Sequence, residues 1–381
     1  MEQVKYNVAR PINDKAQGYN EYNMVDFFLT GNNSKLVCNN IYILFDLELS
    51  GTTANDYITM NNLVGSHGFI DSISFSTQMN GEVEFIDQYA RYVSVERQTS
   101  LHPDFTVFSS NLVCENVAPS VDIERSLLQG VMDRSASVGM VLPAQNSTYN
   151  NMLDAAIKPH FGLNKMTGDT LLPFSKTGYI KITIRLPKNT FALYGSPKIG
   201  SDVLYTLRNL RVMYNTIPDD NKHSAQYPFR TVSSVRQSLS SNFSTISTLA
   251  PIVGSSFFVV FLPSVDENDN LKDSLSLHKI PQLDEVQFLF NDSFNNTICY
   301  TLDNEQEIIE NFRQSVKQSY MDDASNLSLE AMSFNKVYGV GLLLSSTVDF
   351  SKSKLTVNMK SAISNSLPYN AYVFFQGYSS L

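Results

Sequence analysis

The sequence predicts a mainly β protein built from two consecutive β-sandwiches. Three observations predict it. Strand-like stretches recur along the whole chain, whereas helical periodicity is confined to three segments. One order of elements (strand, strand, helix, strand, closing strand) is met twice. Between the two occurrences lies TIPDDNKHSAQYPF (216–229), with two prolines, clustered charge and little periodicity, which marks a linker.

The first half opens with NNIYILFDLELS (39–50), rich in β-branched and aromatic residues and bounded by Asn and Gly, as a strand is. FIDSISFSTQMNGEVEFIDQYARYV (69–93) follows. It reads as a strand, an Asn-Gly turn and then a helix over 84–97 with Phe85, Ile86, Tyr89 and Val93 on one face. Such a helix can plug the open end of a sandwich. A second helical pattern spans 122–134. In TGYIKITIRL (177–186), Ile180, Ile182 and Ile184 alternate with Lys181, Thr183 and Arg185, the mark of a half-buried strand. LYTLRNLRVMYN (204–215) closes the half.

The second half offers strands at 255–263 (SSFFVVFLP), 284–292 (DEVQFLFND), 337–346 (VYGVGLLLSS), 354–360 (KLTVNMK) and 369–378 (YNAYVFFQGY). Its helix, 305–320, has Asp303 or Asn304 as cap and Glu305 and Glu307 in an acidic first turn.

Residue matches link the halves. Ile70, Ile73 and Phe75 correspond to Leu283, Val286 and Phe288. Phe85, Ile86, Tyr89 and Val93 share their spacing with Ile308, Ile309, Phe312 and Val316. Phe174-Ser175-Lys176 precedes one strand as Phe350-Ser351-Lys352 precedes another. Each match is short; their common order is what argues for a duplicated architecture. The stretch from helix to Phe-Ser-Lys is far longer in the first half (Val93 to Phe174) than in the second (Val316 to Phe350). The first half therefore carries an insertion, with the 122–134 helix inside it, expected at a sandwich end in outer-surface or inter-subunit contacts.

Composition bounds the function. The 381 residues suit two domains of moderate size, each able to bury its own core. Charged residues make up only 17%, so the polar surface comes from Asn, Ser, Thr and Gln. Net charge is −9, and no basic run of five exists to neutralise phosphates, so direct nucleic-acid binding is not expected. Cys38, Cys114 and Cys299 are odd in number and widely spaced, which predicts buried free thiols rather than disulfides or a zinc site. No signal peptide opens the sequence, and no run of about 18 apolar residues spans a membrane.

The search for chemistry is negative. His67, His102, His160, His223 and His278 lie far apart and form no metal or protease motif. Ser351-Lys352-Ser353-Lys354 sits at a strand start rather than on a helix. Gly339-Val340-Gly341 lacks the third glycine of a phosphate loop and reads as a tight strand contact. Asp266-Glu267-Asn268-Asp269-Asn270 begins like a calcium loop, but Leu271 and Leu277 replace its Gly and Glu, leaving a solvated loop. Asp219-Asp220 reads as a solvated turn. No catalytic, cofactor-binding or metal-ligating residue is predicted, and the sequence names no oligomer-interface residue.

Two successive sandwiches, each with a helix after its central strands, no active site and a neutral polar surface resemble the double jelly-roll major capsid proteins of icosahedral double-stranded DNA viruses. That lineage covers adenovirus-like viruses, tailless membrane-containing phages, virophages and polinton-like viruses. LVGSHGFIDSISFSTQMNGEVEFIDQYARYV (63–93) is similar to the strand-and-helix segment in the first roll of the small eukaryotic members. The resemblance covers most of the chain, from about Val25 to Leu381, at the level of architecture. It implies two consecutive eight-stranded jelly rolls: an arm at 1–24, a first roll at 25–217 with the insertion at about 98–173, a linker at 218–229 and a second roll at 230–381. It further implies a homotrimeric, pseudo-hexagonal capsomer in a virion shell assembled inside the host cell, without cofactor. Its partners would be neighbouring capsomers, penton and minor capsid proteins, with peripheral contact to an internal viral membrane where one exists. A penton or minor capsid protein, with one jelly roll and a different second domain, is the alternative within viruses. A glycan- or receptor-binding β-sandwich is the alternative outside them, disfavoured by the absence of Trp. An enzyme stands third, for want of placed carboxylates.

Overall fold

The computed structural model describes residues 4–50, 57–60, 64–100, 141–142, 152–196, 204–240, 245–267, 274–275, 285–291, 297–302, 304–317, 339–360 and 368–381. The first half runs β1 (Lys5–Ala9), β2 (Met24–Leu29), β3 (Ser34–Ser50), β4 (Tyr57–Met60), β5 (Ser72–Thr77), β6 (Gly81–Ile86), α1 (Tyr89–Ser100), β7 (Val141–Leu142), β8 (Met152–Ile157), β9 (Leu171–Pro173), β10 (Ile180–Arg185), β11 (Leu193–Ser196) and β12 (Leu204–Pro218). The second runs β13 (Pro228–Leu239), β14 (Thr245–Thr248), β15 (Val253–Pro263), β16 (Glu285–Asn291), β17 (Thr297–Leu302), α2 (Glu305–Lys317), β18 (Val340–Asp349), β19 (Lys354–Lys360) and β20 (Tyr369–Ser380).

The pairing is nested. In the first half β1 pairs β12, β2 pairs β10, β3 pairs β8 and β5 pairs β6. In the second β13 pairs β20, β14 pairs β19, β15 pairs β18 and β16 pairs β17. Outermost strands pair first and the innermost pair is a hairpin, so each half is one long antiparallel ribbon. Rolled up, it gives two facing sheets: β1-β12-β3-β8 against β2-β10-β5-β6, then β13-β20-β15-β18 against β14-β19-β16-β17. Each half is thus a jelly roll of eight nested strands. A small sheet, β11-β4-β7, is added in the first half.

Alternation places the cores. Ile180, Ile182 and Ile184 of β10 are buried, and beside them lie Val25, Phe27 and Leu29 of β2 and Ile73 and Phe75 of β5. Phe257 to Leu262 of β15 and Ala371 to Phe375 of β20 are buried without alternation. Both faces of their sheet are covered, as continuous apolar runs require. One face meets its own sandwich: Phe257 packs on Phe288 and Phe290 of β16. The other meets helices: Phe258 packs on Phe312 of α2 and on Tyr92 of α1.

Several expectations change. Residues 81–86 form a strand, not the start of a helix. Gly81 has φ +67°, and Asn80-Gly81 turns β5 back on itself as a hairpin. The helix begins only at Tyr89, after Gln88 at φ +52° breaks the strand. Ile86, Tyr89 and Val93 are buried, but Phe85 points outward at 49% exposure. Phe85 and Ile86 therefore do not correspond to Ile308 and Ile309, which lie on α2. The arm expected at 1–24 contains β1 and the start of β2, because β1 completes the sheet beside β12. The expected 122–134 helix and Cys114 lie outside the described residues, as does most of the insertion. Phe174 and Phe350 do occupy equivalent turns, each buried ahead of its roll's second-to-last nested strand.

Candidate assembly interface

The seam between the rolls is built by β6, α1 and the 159–167 segment on one side and β13 and β20 on the other. Backbone bonds cross it: Thr167 N–H donates to Pro228 O (3.0 Å) and Arg230 N–H to Lys165 O (3.1 Å). Phe229 of β13 packs edge-on to Phe75 (5.7 Å) and against Gly162, where a Cβ would strike its ring. The Ser234 hydroxyl donates to Asp87 O (2.8 Å).

Helix α1 is the joint rather than an end plug. Tyr92 lies over Phe258 (6.5 Å) and Phe374 (5.8 Å) of the second roll. Arg91 is wholly buried, with its guanidinium 4.1 Å from the Tyr372 ring and Nη1 donating to Ser274 O (2.5 Å). A cation over an aromatic face in a water-free site contributes about 2 kcal/mol. On the far side of Tyr92, Lys165 Nζ donates to its hydroxyl (2.9 Å) and pairs with Glu96 (2.8 Å). Burial pushes the Tyr92 phenol up to about 12. Burial also acts to raise Glu96, but Lys165 and His160 outweigh it and hold the carboxyl low.

Glu84 of β6 is the unusual group. It is 4% exposed, and its Oε2 accepts the Gly162 N–H at 2.6 Å. Its Oε1 is buried with no hydrogen-bond partner. Desolvation pushes this carboxyl from 4.5 up to about 7, against weaker lowering by Gly162, Thr231, Lys165 and Val232.

The residues weighed in the sequence are placed as follows. His67 and His160 do converge, rings 5.2 Å apart, with His67 Nδ1 2.7 Å from Tyr89 Oη and His160 Nδ1 2.6 Å from Glu96. His223 lies 2.9 Å from Asp219. His102 and His278 lie outside the described residues. Asp219-Asp220 does form a turn with Asp220 exposed, and Lys35, 3% exposed, donates to Asp220 (2.5 Å) and to Lys222 O (2.5 Å), tying that turn to β3. Glu267 of the calcium-like stretch is likewise engaged, accepting from Arg236, Asn370 and Tyr372. Ser351 to Ser353 form the turn before β19. Gly341 sits where a Cβ would strike Ser315 Oγ of α2, a close strand–helix approach. Among the described residues no group of three or more His, Cys, Asp or Glu could hold a metal. No described helix is long and apolar enough to cross a membrane.

Sequence reading missed Glu84, Arg91 and Tyr92. The signal for Glu84 was present in Gly81-Glu82-Val83-Glu84-Phe85-Ile86, where strand alternation puts Glu84 on the same face as Ile86.

No protein-family model and no curated protein matches the sequence. Solved structures do match along its whole length. The chain is similar to the Faustovirus major capsid protein (9% identity, TM-score 0.61, covering 100% of this chain and 90% of that one). It is similar to the subunit of the PBCV-1 virus capsid (10%, 0.60, 100% and 95%) and to the mavirus major capsid protein (10%, 0.51, 99% and 89%). At such identities the likeness is one of fold: with its two nested eight-strand rolls, the chain has the double jelly-roll fold found in these viral capsid proteins.

Proposed function

We propose that this chain is a viral major capsid protein, one that self-assembles as a homotrimer of pseudo-hexagonal outline and tiles an icosahedral shell. The observation that carries the reading is the recurrence of one eight-strand nesting in both halves of a chain that matches capsid subunits from end to end. Two similar, unequal rolls repeated about a three-fold axis give six units around a ring. We take the first roll to run from β1 to β12 and the second from β13 to β20. A penton reading needs one jelly roll beside a different domain, which the second half's own β13-β20-β15-β18 order does not favour. Partners would be neighbouring capsomers, penton and minor capsid proteins, and the place of action the virion shell.

Light scattering on the purified chain tests this. A mass near three times 42.7 kDa supports the capsomer. A five-chain particle points to a penton. A stable single chain removes the reading and makes a glycan-binding screen the next step.

A further inference from the structure

The β1-β12-β3-β8 sheet is interrupted where β12 bulges. From Arg208 to Arg211 the strand takes three steps while its partner β3 takes two, from Asp46 to Leu44, and Asn209 in between stands at φ +50°. In a regular strand, residues three apart point to opposite faces; one extra residue returns them to the same face. Burial follows that rule: Tyr205 and Leu207 face the core before the bulge, Leu210 and Val212 after it. Arg208 and Arg211 therefore both stand on the outward face.

Two further cations join them. Ala9 of β1 pairs with Val212, so Arg10, the next residue, comes beside Arg211. The chain after β1 is tied to β12 by Tyr19 N–H to Leu207 O (2.9 Å) and Leu207 N–H to Tyr19 O (2.7 Å), and Gly18 N–H donates to Lys15 O (2.9 Å), which brings in Lys15 and Asp14. Arg10, Asp14, Lys15, Arg208, Asn209 and Arg211 line a pocket of about 270 Å³. Four cations there face one carboxylate, in a chain whose net charge is −9. Of the four, only Arg208 has a carboxylate partner among the described residues, Glu48 beside the pocket. Lys15 donates to Asn23 Oδ1 (2.7 Å) and Arg211 to Asn209 O (2.8 Å), both neutral acceptors. Asp46, outside the lining, is engaged by the Asn209 amide. The lining thus keeps a surplus of two positive charges, and like charges side by side across a strand pair cost stability. The cations come from two distant stretches, 10–15 and 208–211, so no basic run announces them.

We propose that this pocket binds a small anion carrying phosphate groups, held by Arg10, Lys15 and Arg211. Guanidinium groups take phosphate oxygens with pairs of N–H donors, and the half-buried Arg211 is fixed in place by its bond to Asn209 O. The anion supplies the negative charge that the Arg10–Arg211 pair lacks. The chemistry recognised is the phosphate group, of a soluble compound or of a lipid headgroup. The site is built from this chain's own residues and does not rest on the three-chain reading above.

Titration calorimetry of the full chain with inorganic pyrophosphate, near physiological ionic strength, tests it, with circular dichroism to verify folding. The expected result is saturable binding at one site per chain. Arg10→Gln and Arg211→Gln should each weaken it at least about 10-fold. Lys354→Gln removes an equal charge from the exposed surface of the second roll and should leave binding unchanged. Asp14→Asn removes the pocket's one carboxylate and should tighten binding about 2- to 5-fold. A gain cannot come from misfolding, so this variant decides the matter if the arginine variants do not fold. Flotation with phosphatidylcholine vesicles containing phosphatidic acid sorts the source. Vesicle binding that is lost in Arg211→Gln assigns a lipid headgroup; pyrophosphate binding without vesicle binding assigns a soluble phosphate compound. No saturable binding, an equal loss in all three charge-removing variants, or an Asp14→Asn variant that binds no tighter would overturn the proposal and leave an adventitious ion only.

Discussion

Glu84 makes stability depend on pH in a way that can be worked out. Its carboxyl, 4.5 in an open chain, sits at about 7 in the fold because burial disfavours the charged form. The folded protein therefore holds the proton more tightly than the unfolded chain. Between those two values the native state binds more protons, so the free energy of unfolding falls as pH rises. The stabilisation is fully present below pH 4.5 and is lost as pH passes 7. The gap of about 2.5 pH units, at about 1.4 kcal/mol each, sets a loss of about 3 kcal/mol by pH 8–9. Glu84→Gln removes the ionisation and keeps an oxygen for the Gly162 N–H. Urea unfolding of both proteins from pH 4.5 to 9 is the assay. Near pH 4.5 the two should agree closely; by pH 8–9 the Gln variant should be more stable by up to about 3 kcal/mol. A Gln variant that is less stable than wild type at pH 8–9, or a constant difference across the range, would refute the reasoning.

Other consequences follow from the seam and the core. Tyr92→Ala removes the ring lying on Phe258 and Phe374 and should cost about 3–5 kcal/mol in equilibrium unfolding. Tyr92→Phe keeps the ring and loses the hydroxyl's hydrogen bonds with Lys165 and Gln376, and should cost roughly 1.5 kcal/mol; equal losses for the two variants would show that the stacking contributes little. Gly162→Ala drives a methyl into the Phe229 ring and should cost about 1–3 kcal/mol, read as a lower melting temperature. Cys38 is buried with its thiol pushed up to about 12, so peptide mapping after alkylation at pH 8 should find it unlabelled until denaturant is added.

The parts of the fold that were legible in the sequence are those where local pattern and tertiary environment agree. Ile180, Ile182 and Ile184 alternate because one face of β10 meets a core, and β10 appears where that pattern puts it. The unbroken apolar run of β15 was legible as a strand, while the reason for it, a sheet covered on both faces, needed the helices in place. The 81–86 stretch was misread because Ile86, Tyr89 and Val93 fit a helical spacing by coincidence across a strand end and a helix start. Asn80-Gly81 carried the hairpin signal, and taking it would have placed both Phe85 and Glu84 correctly. The seam itself was not legible. Its groups come from positions far apart in sequence: Arg91 meets Tyr372, and Phe75 meets Phe229, with no local pattern to announce either. Likewise Lys35 and Asp220 join only when β3 and the end of β12 lie side by side.

The central claim is that two jelly rolls in each chain become six in the assembly. Electron micrographs of the purified particle, averaged without imposed symmetry, test it most directly. The account predicts a ring of six lobes alternating between two kinds, with three-fold and not six-fold symmetry. Five lobes, or a particle with a single pair of rolls, would contradict it.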